Sequence, residues 1–427
     1  MHKKALIITY YWPPAGGPGV QRWLKFVKYL TDYQVEPIVY IPENPTYPII
    51  DESFLAEVPK ETTILKQPIK EPYNLAKKFA KASSGNISKG LIKTSDKQSF
   101  KEKMMLFIRG NFFIPDARKA WVNPSVAFLY NYILEQEIKV VITTGPPHSL
   151  HLIGLNLRNK LDIKWIADFR DPWTTIGYHK KLRLLPYAAL KHKKLEKSVL
   201  NRADQIVVTS PTTKLEFENL TQKPIEVITN GYDVHKVNKV EMDLKFTIAH
   251  IGSLLSDRNP EILWKVLQDI SRDDKVFQSQ FQLNLVGAVS NDVLQSIERH
   301  NLFQFVNLVG YVSHDEAIRY QKQSQVLLLI EIDSEDTRCI IPGKLFEYMA
   351  ANRPILALGP KGSDVEGIIA NTNTGSYFTY KQYDELKDKI LTYFQAFRKG
   401  ELQSHPIGLQ QYSRKMLTKK LAGIIHN

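Results

Sequence analysis

A short segment in the last quarter of the chain carries a cation and a carboxylate one helical turn apart. Residues 341–358 read IPGKLFEYMAANRPILAL, with apolar residues at helical spacing until Pro354 ends the pattern. Lys344 and Glu347 share one face of this predicted helix, and the free N–H groups at a helix start, here at Gly343, favour an anion. The segment predicts a site for a ligand with phosphate at one end and hydroxyl groups at the other. An ordinary helix with two solvated side chains is the alternative.

A histidine follows a buried run that we interpret as a strand. His148 comes shortly after residues 140–144, and open α/β sheets bind ligands at the carboxyl ends of parallel strands. Imidazole is suited to exchange a proton near neutral pH. His148 is therefore a candidate catalytic group. A structural histidine is the alternative, and His151 is the competing candidate.

The next predicted strand, residues 164–167, ends in two carboxylates on either side of an arginine. These are Asp168, Arg170 and Asp171. Such a group could orient an acceptor hydroxyl or form a structural ion pair. We favour a catalytic site for Asp168 and Arg170.

A glycine-rich turn lies between the first predicted strand and the first predicted helix. Residues 11–22 read YWPPAGGPGVQR, and such a turn lets the backbone come close to a ligand. Gly16 and Gly17 are candidate ligand contacts, with an empty tight turn as the alternative. The spacing is not the GxGxxG of a dinucleotide site, and no acid closes the next strand, which disfavours a dehydrogenase.

Length and composition predict a globular protein of two domains. A chain of 427 residues with 43% hydrophobic residues exceeds what one core normally supports. The single cysteine, Cys339, excludes a disulfide framework and a cysteine metal site, and it fits a reducing compartment. No apolar run approaches the ~20 residues of a membrane span. We interpret the first residues as a buried strand rather than a signal peptide.

The formal charge of +13 is concentrated in two stretches. Residues 60–109 contain 12 Lys or Arg against 4 acids, and residues 180–202 contain 8 with Glu196 as the only acid. Apolar residues alternate with the basic ones in the first stretch, which suits an anionic membrane surface better than a nucleic acid. A solvated face over an ordinary core is the equal alternative.

The segment around Glu347 resembles the nucleotide-sugar site of the retaining GT-B glycosyltransferases of family 4. In that family a Glu-x7-Glu motif precedes an alanine-rich helix start and an xxPVLA strand, and the second Glu holds the ribose. Glu347 matches the second Glu, whereas Cys339 stands where the first would fall. Glu331 and Glu335 lie upstream at other spacings.

The resemblance extends along nearly the whole chain and implies roles for the other candidates. It implies that Gly16 and Gly17 touch the donor phosphates or the acceptor and that His148 lies beside the donor sugar. The segment ADFRDPW implies a place in the active cleft for Asp168 and Arg170.

A second phosphate-binding element is implied after the strand at residues 246–251. The family pattern G-R-L-x-x-x-K supplies two cations there, and this chain has Gly252 followed by Ser253 and, later, Arg258. A diphosphate needs more than one positive group or helix start. We therefore expect Arg258 and Lys344 to converge.

The resemblance implies an α/β fold of the GT-B type, with two facing Rossmann-like domains and a carboxyl-terminal helix that crosses back to the first. We expect an acceptor-side domain at residues 1–238, with an insertion at about 43–125. The donor domain is expected at 239–427, with its last helix, about 409–425, on domain one.

The implied function is retaining, metal-independent transfer from a UDP- or GDP-sugar to a glycan or lipid-linked acceptor, without a cofactor or nucleic-acid partner. The expected location is the cytoplasm, with the inner face of the cytoplasmic membrane as a peripheral site. A nucleotide-sugar epimerase of the same fold is one alternative. A non-catalytic protein that binds nucleotide sugars or polyanions is another, because Cys339 replaces a motif acid.

Overall fold

The computed structural model describes residues 2–71, 100–233 and 240–427, which form two compact units. The first unit comprises Met1–Asn230 and Arg414–Asn427, and the second comprises Gly231–Ser413. The predicted boundary between residues 238 and 239 lies outside the described residues.

A seven-stranded parallel sheet forms the centre of the first unit, in the order β3-β2-β1-β4-β5-β6-β7. The order reverses between β1 and β4, as in doubly wound sheets. Its strands are β1 Lys3–Ile8, β2 Val35–Pro42, β3 Thr63–Gln67, β4 Val140–Gly145, β5 Lys164–Phe169, β6 Gln205–Val208 and β7 Ile225–Val227.

Helices cover this sheet because its central strands are apolar on both faces. In β1, for example, the last four residues have no exposed surface. The helices of the unit are α1 Pro18–Leu30, α2 Phe100–Phe112, α3 Val122–Glu135, α4 Ser149–Arg158, α5 Gly177–Lys180, α6 Pro186–Arg202, α7 Pro211–Glu218 and, at the end of the chain, Arg414–His426.

Part of the segment expected to be an insertion, about 43–125, belongs to the sheet. Strand β3 pairs with β2 in parallel and forms one edge of the sheet. Its burial pattern is mixed, with no fully buried residue, because one side of an edge strand faces solvent.

A six-stranded parallel sheet forms the second unit, in the order β10-β9-β8-β11-β12-β13. Its strands are β8 Phe246–Ile251, β9 Phe281–Val286, β10 Val306–Gly310, β11 Val326–Ile330, β12 Ile355–Gly359 and β13 Gly375–Thr379. Its helices are α8 Glu261–Asp273, α9 Lys275–Gln280, α10 Asn291–Arg299, α11 His314–Gln323, α12 Gly343–Ala350, α13 Asp364–Thr372 and α14 Tyr383–Arg398.

Helix α11 begins with a reciprocal cap formed by Ser313 and Glu316. The Ser313 hydroxyl accepts from the backbone N–H of Glu316, and the Glu316 carboxylate accepts from the N–H of Ser313. This reciprocal pair satisfies two backbone donors that a helix start otherwise leaves open.

The chain enters and leaves the second unit at neighbouring positions. The backbone N–H of Tyr232 donates to the carbonyl of Tyr412 at 3.1 Å, and the Tyr232 hydroxyl donates to the carbonyl of Leu409 at 3.2 Å. The last helix, α15 Arg414–His426, then returns to the first unit and packs against α1 through buried residues such as Leu421.

Candidate functional site

The strand order of the second sheet reverses between β8 and β11, and the candidate phosphate-binding residues lie at the carboxyl ends of these two strands. Gly252 directly follows β8, and Glu331 directly follows β11. Helix α12 begins after the loop that leaves β11, with Gly343 and Lys344 as its first two residues. Ligands of open α/β sheets bind at such reversals.

The backbone of Gly252 makes room for the Lys344 side chain. A Cβ atom on Gly252 would lie 2.7 Å from Nζ of Lys344, and the φ angle of +114° at Gly252 is one that other residues rarely adopt. The Nζ atom also lies 3.3 Å from Nε2 of His250. The Lys344 ammonium group is thereby held against the end of β8.

The proton positions of His250 follow from its partners. Its Nδ1 lies 3.0 Å from the carbonyl oxygen of Leu328, which can only accept, so Nδ1 carries the proton. Burial, followed by the charge of Lys344, lowers the pKa of His250 well below its usual range. The ring is therefore neutral at pH 7, and Nε2 accepts from Lys344.

The second predicted cation, Arg258, lies close enough to act on the first. Burial lowers the pKa of Lys344 from 10.5 to about 7, and the positive charge of Arg258 acts in the same direction while Glu347 opposes it. The Nε atom of Arg258 is buried and has no hydrogen-bond partner among the residues described. The structure thus brings Gly252, Arg258 and Lys344 together.

Glu347 lies one turn further along α12 and is half-buried. One oxygen of its carboxylate accepts a hydrogen bond from Nε2 of Gln321 on α11 at 3.1 Å. A carboxylate has about four acceptor positions, so this contact leaves capacity for hydroxyl donors.

Glu331 is a buried acid that the motif spacing did not select. Its carboxylate accepts from the hydroxyls of Ser363 and Tyr377, both at 2.9 Å. Burial raises its pKa from 4.5 to about 7, against the effect of these two hydrogen bonds and of the Arg258 charge. The signal that could have found it is its position directly after the buried strand β11.

In the first unit, Asp168 is committed to contacts inside the protein. One carboxylate oxygen pairs with Arg22 at 2.8 Å, and the other accepts from Trp23 at 2.9 Å and from Thr144 at 2.8 Å. The side chains of Asp168 and Arg22 are each 1% exposed. This geometry corrects the interpretation of Asp168 as a group that faces a substrate, and its ion-pair partner is Arg22 rather than Arg170.

Arg170 follows the end of β5, and its guanidinium group is hydrogen-bonded to the backbone at the end of β4. It donates to the carbonyls of Gly145, at 3.3 Å, and Pro146, and it lies 5.7 Å from the ring centre of Tyr11. A Cβ atom at Gly19 would lie 1.7 Å from its Nη1 atom. Gly19, which we had not selected from the sequence, therefore leaves the space that Arg170 occupies.

His148 lies at the start of α4, beyond the end of β4. Its ring is parallel to that of Trp173, with centres 5.0 Å apart, and it is 7% exposed. Neither ring nitrogen has a hydrogen-bond partner in the part of the chain that the structure describes. The competing His151 has no exposed surface and bonds to the Thr143 hydroxyl at 2.9 Å, so His148 is the better candidate.

The two glycines of the first turn differ in their surroundings. A Cβ atom on Gly16 would lie 2.9 Å from the side chain of Ile49, so a close approach of two chain segments explains this glycine. Gly17 precedes α1, and a Cβ atom there would have no neighbour within 4 Å among the described residues. Of the pair, Gly17 has open space beside it.

The described ranges, 2–71, 100–233 and 240–427, contain neither a cluster of metal-ligating side chains nor a membrane-spanning helix. No group of three or more His, Cys, Asp or Glu residues there is arranged to hold a metal ion. No helix there has the length and apolar character needed to span a bilayer.

Two family models match the chain in consecutive segments. The model of Glycosyltransferase Family 4 matches residues 93–236, and the model of Glycosyl transferases group 1 matches residues 245–396. The chain belongs to the group 1 glycosyltransferases. The second match includes the candidate site residues Arg258, Lys344 and Glu347 of this glycosyltransferase. A comparison with curated proteins found no match.

Solved structures of other glycosyltransferases share the fold over their full length. A glycosyltransferase from Rickettsia africae ESF-5 has a TM-score of 0.63 at 14% identity, covering 99% of this chain and 98% of the other. The Anabaena protein Alr3699/HepE, in complex with UDP and glucose, has a TM-score of 0.61 at 14% identity, covering 100% of both chains. The lipopolysaccharide outer core galactosyltransferase WaaB, in its apo form, has a TM-score of 0.60 at 15% identity, covering 99% of both. The glycosyltransferase described here thus has the GT-B fold.

Proposed function

We propose that this glycosyltransferase moves a sugar from a UDP- or GDP-sugar to a glycan or lipid-linked acceptor, with retention of anomeric configuration and without a metal ion. The observation that carries the proposal is the pair of cations at the strand reversal of the second unit. Burial and, after it, the charge of Arg258 lower the pKa of Lys344, and the buried Nε of Arg258 has no hydrogen-bond partner among the described residues. A diphosphate bound between the two cations offsets their repulsion, and its oxygens supply the hydrogen-bond acceptor that Nε of Arg258 lacks.

The same two cations give the reaction its electrostatic assistance. The leaving group is a nucleoside diphosphate, whose negative charge grows as the glycosidic bond breaks. Cations and a helix start that are already in place stabilise this charge most in the transition state. Lys344, Arg258 and the N–H groups at Gly343 fill the role that a metal ion fills elsewhere.

The remaining polar groups are assigned to substrate positioning. The Glu347 carboxylate accepts hydrogen bonds from the ribose hydroxyls at the lone pairs that its contact with Gln321 leaves open. His148 contributes a neutral imidazole beside the donor sugar, because burial holds its pKa well below the usual range. Arg170 positions the acceptor side, whereas Asp168 has a structural role in its buried pair with Arg22.

Calorimetric titration with a panel of UDP-, GDP- and ADP-sugars tests the proposal. We expect one nucleotide class to bind, and we expect Glu347→Ala to weaken that binding by roughly 1–3 kcal/mol, or about 5- to 150-fold. Glu366→Ala is the matched control, since this carboxylate of the same unit bonds to the backbone of Gly362 instead. Unchanged affinity in folded Glu347→Ala protein would remove this assignment.

A non-catalytic nucleotide-sugar-binding protein is the second candidate, because the motif position of the first acid holds Cys339, which is buried. An epimerase of the same fold is the third. Slow donor hydrolysis without acceptor distinguishes an enzyme from a binding protein, and the sugar released by an epimerase has a changed configuration. The anomeric signal of the transfer product in proton NMR tests retention.

The proposal also places the protein in the cytoplasm, at the inner face of the cytoplasmic membrane when the acceptor is lipid-linked. The single cysteine is consistent with a reducing compartment.

A further inference from the structure

The outward face of α2 is apolar. Phe100, Met104, Ile108 and Phe112 follow one another at intervals of four residues, and their side chains are between 39% and 81% exposed. The face that packs on the protein is narrow, with Leu106 and Gly110 as its buried residues. A surface helix normally shows the opposite arrangement, with polar residues outward.

The start of α6 continues this apolar face. The Asn111 side chain donates to the carbonyl of Arg183 at 3.2 Å and accepts from the N–H of Leu185 at 2.7 Å. These two bonds hold the end of α2 beside the start of α6. There, Leu185, Tyr187 and Leu190 are between 50% and 73% exposed.

Further along α6 the exposed face becomes basic. Lys193, Lys194 and Lys197 are exposed and lie three, four and seven residues after Leu190, so they extend the same helix face. The only acid of residues 180–202, Glu196, is buried and accepts from the N–H and hydroxyl of Thr174. No carboxylate of α6 therefore neutralises the lysines.

We propose that this surface docks onto an anionic lipid bilayer. The docking surface is defined by Phe100, Met104, Ile108, Phe112, Leu185, Tyr187, Leu190, Lys193, Lys194 and Lys197. Exposed apolar and aromatic side chains enter the headgroup region, and flanking lysines pair with anionic lipid. The inference deepens the proposed function and rests on it only for the lipid-linked acceptor, which such docking brings within reach.

The charge of the docking surface selects the bilayer over a second copy of the chain. Self-association through this surface would bring two sets of lysines together, whereas an anionic membrane complements them. The apolar side chains also stand on the outward face of a helix, as interfacial insertion requires. A nucleic acid would leave this apolar face without a partner.

Co-sedimentation with vesicles tests the role of the lysines. We expect the wild type to sediment with phosphatidylcholine vesicles that contain phosphatidylglycerol and not with pure phosphatidylcholine. The triple variant Lys193→Gln, Lys194→Gln, Lys197→Gln should lose at least about tenfold in partitioning. The matched control, Lys275→Gln, Lys361→Gln, Lys399→Gln, removes the same charge from exposed lysines of the second unit and should lose less than about twofold.

Tryptophan fluorescence tests the apolar part. All six native tryptophans are at most 1% exposed, so Tyr187→Trp adds a single exposed reporter. We expect its emission to shift to the blue when phosphatidylglycerol vesicles are added. Leu215→Trp, on exposed α7, is the control and should not respond.

Three results would overturn the proposal. They are failure of the wild type to sediment with anionic vesicles, equal sedimentation of the lysine triple variant and its control, and Tyr187→Trp emission that is already blue-shifted without vesicles. The last would mean that protein covers the surface. Donor binding, measured on the same variants without lipid, reports the proposed function separately and should not change.

Discussion

The Nζ atom of Lys344 lies 3.3 Å from Nε2 of His250, a neutral histidine whose other nitrogen donates to the carbonyl of Leu328. This hydrogen bond holds the ammonium group at the end of β8, and the neutral imidazole adds no negative charge to offset that of the lysine. A carboxylate partner would have satisfied the charge internally. A neutral acceptor positions the lysine and leaves its charge for a ligand.

Replacing this lysine should weaken nucleotide binding. Charge-assisted hydrogen bonds contribute about 1.5–3 kcal/mol, so Lys344→Met should lower the affinity for the nucleoside diphosphate by roughly 10- to 150-fold in calorimetric titration. Lys399→Met, at an exposed position of the same unit, should leave it unchanged. Equal affinity of the two variants would exclude a phosphate contact at Lys344.

Nucleotide binding should take up a proton above neutral pH. The pKa of Lys344 is about 7 without a ligand, and a bound diphosphate raises it. At pH 8 to 9 the ammonium group must therefore form during binding, and affinity should fall as pH rises above 7. Titration in buffers of different ionisation enthalpy measures the uptake, which Lys344→Met should abolish.

The buried acid Glu331 should make stability depend on pH in the opposite sense to an ordinary carboxylate. Its pKa is raised from 4.5 to about 7 in the folded protein, so the folded state binds more protons between these values. The free energy of unfolding should fall as pH rises from 4.5 through 7. Melting temperatures of Glu331→Gln should lack this slope, whereas Glu335→Gln, at an exposed position, should keep it.

Removal of one partner from the buried pair of Asp168 and Arg22 should destabilise the protein. Asp168→Ala leaves a buried guanidinium without its partner, which typically costs about 3–5 kcal/mol. Chemical denaturation should show this loss, while exposed Asp162→Ala should change little. Because the pKa of Asp168 is lowered from 3.8 by Arg22 and its hydrogen-bond donors against the effect of burial, the contribution is present above pH 3.8. It is lost as pH falls through the lower folded value.

Local patterns in the sequence were sufficient for much of the fold. The buried strands predicted at residues 140–144 and 164–167 and the helix that begins at Gly343 each depend on neighbours within a few residues. The convergence of Lys344 with Arg258 is what the needs of a diphosphate and the resemblance to a family predict.

Contacts between distant residues were beyond the reach of such patterns. Asp168 pairs with an arginine 146 positions away, and no periodicity marks that partnership. Glu331 likewise gains its environment from Ser363 and Tyr377, which reach it from later elements. The motif spacing points to Cys339. The structure instead shows at Glu331 a buried carboxylate with a raised pKa, which is typical of acids in functional sites.

The hydrogen bonds of Tyr232 to Tyr412 and Leu409 join the start of the second unit to its end. Residues 231–413 begin and end at neighbouring positions, since Tyr232 and Tyr412, each one residue from an end, are hydrogen-bonded to each other. A gene fragment for these residues should therefore yield a self-contained folding module. Under the donor site proposed for this unit, exchange of the module between relatives should also exchange the preference for the nucleotide sugar.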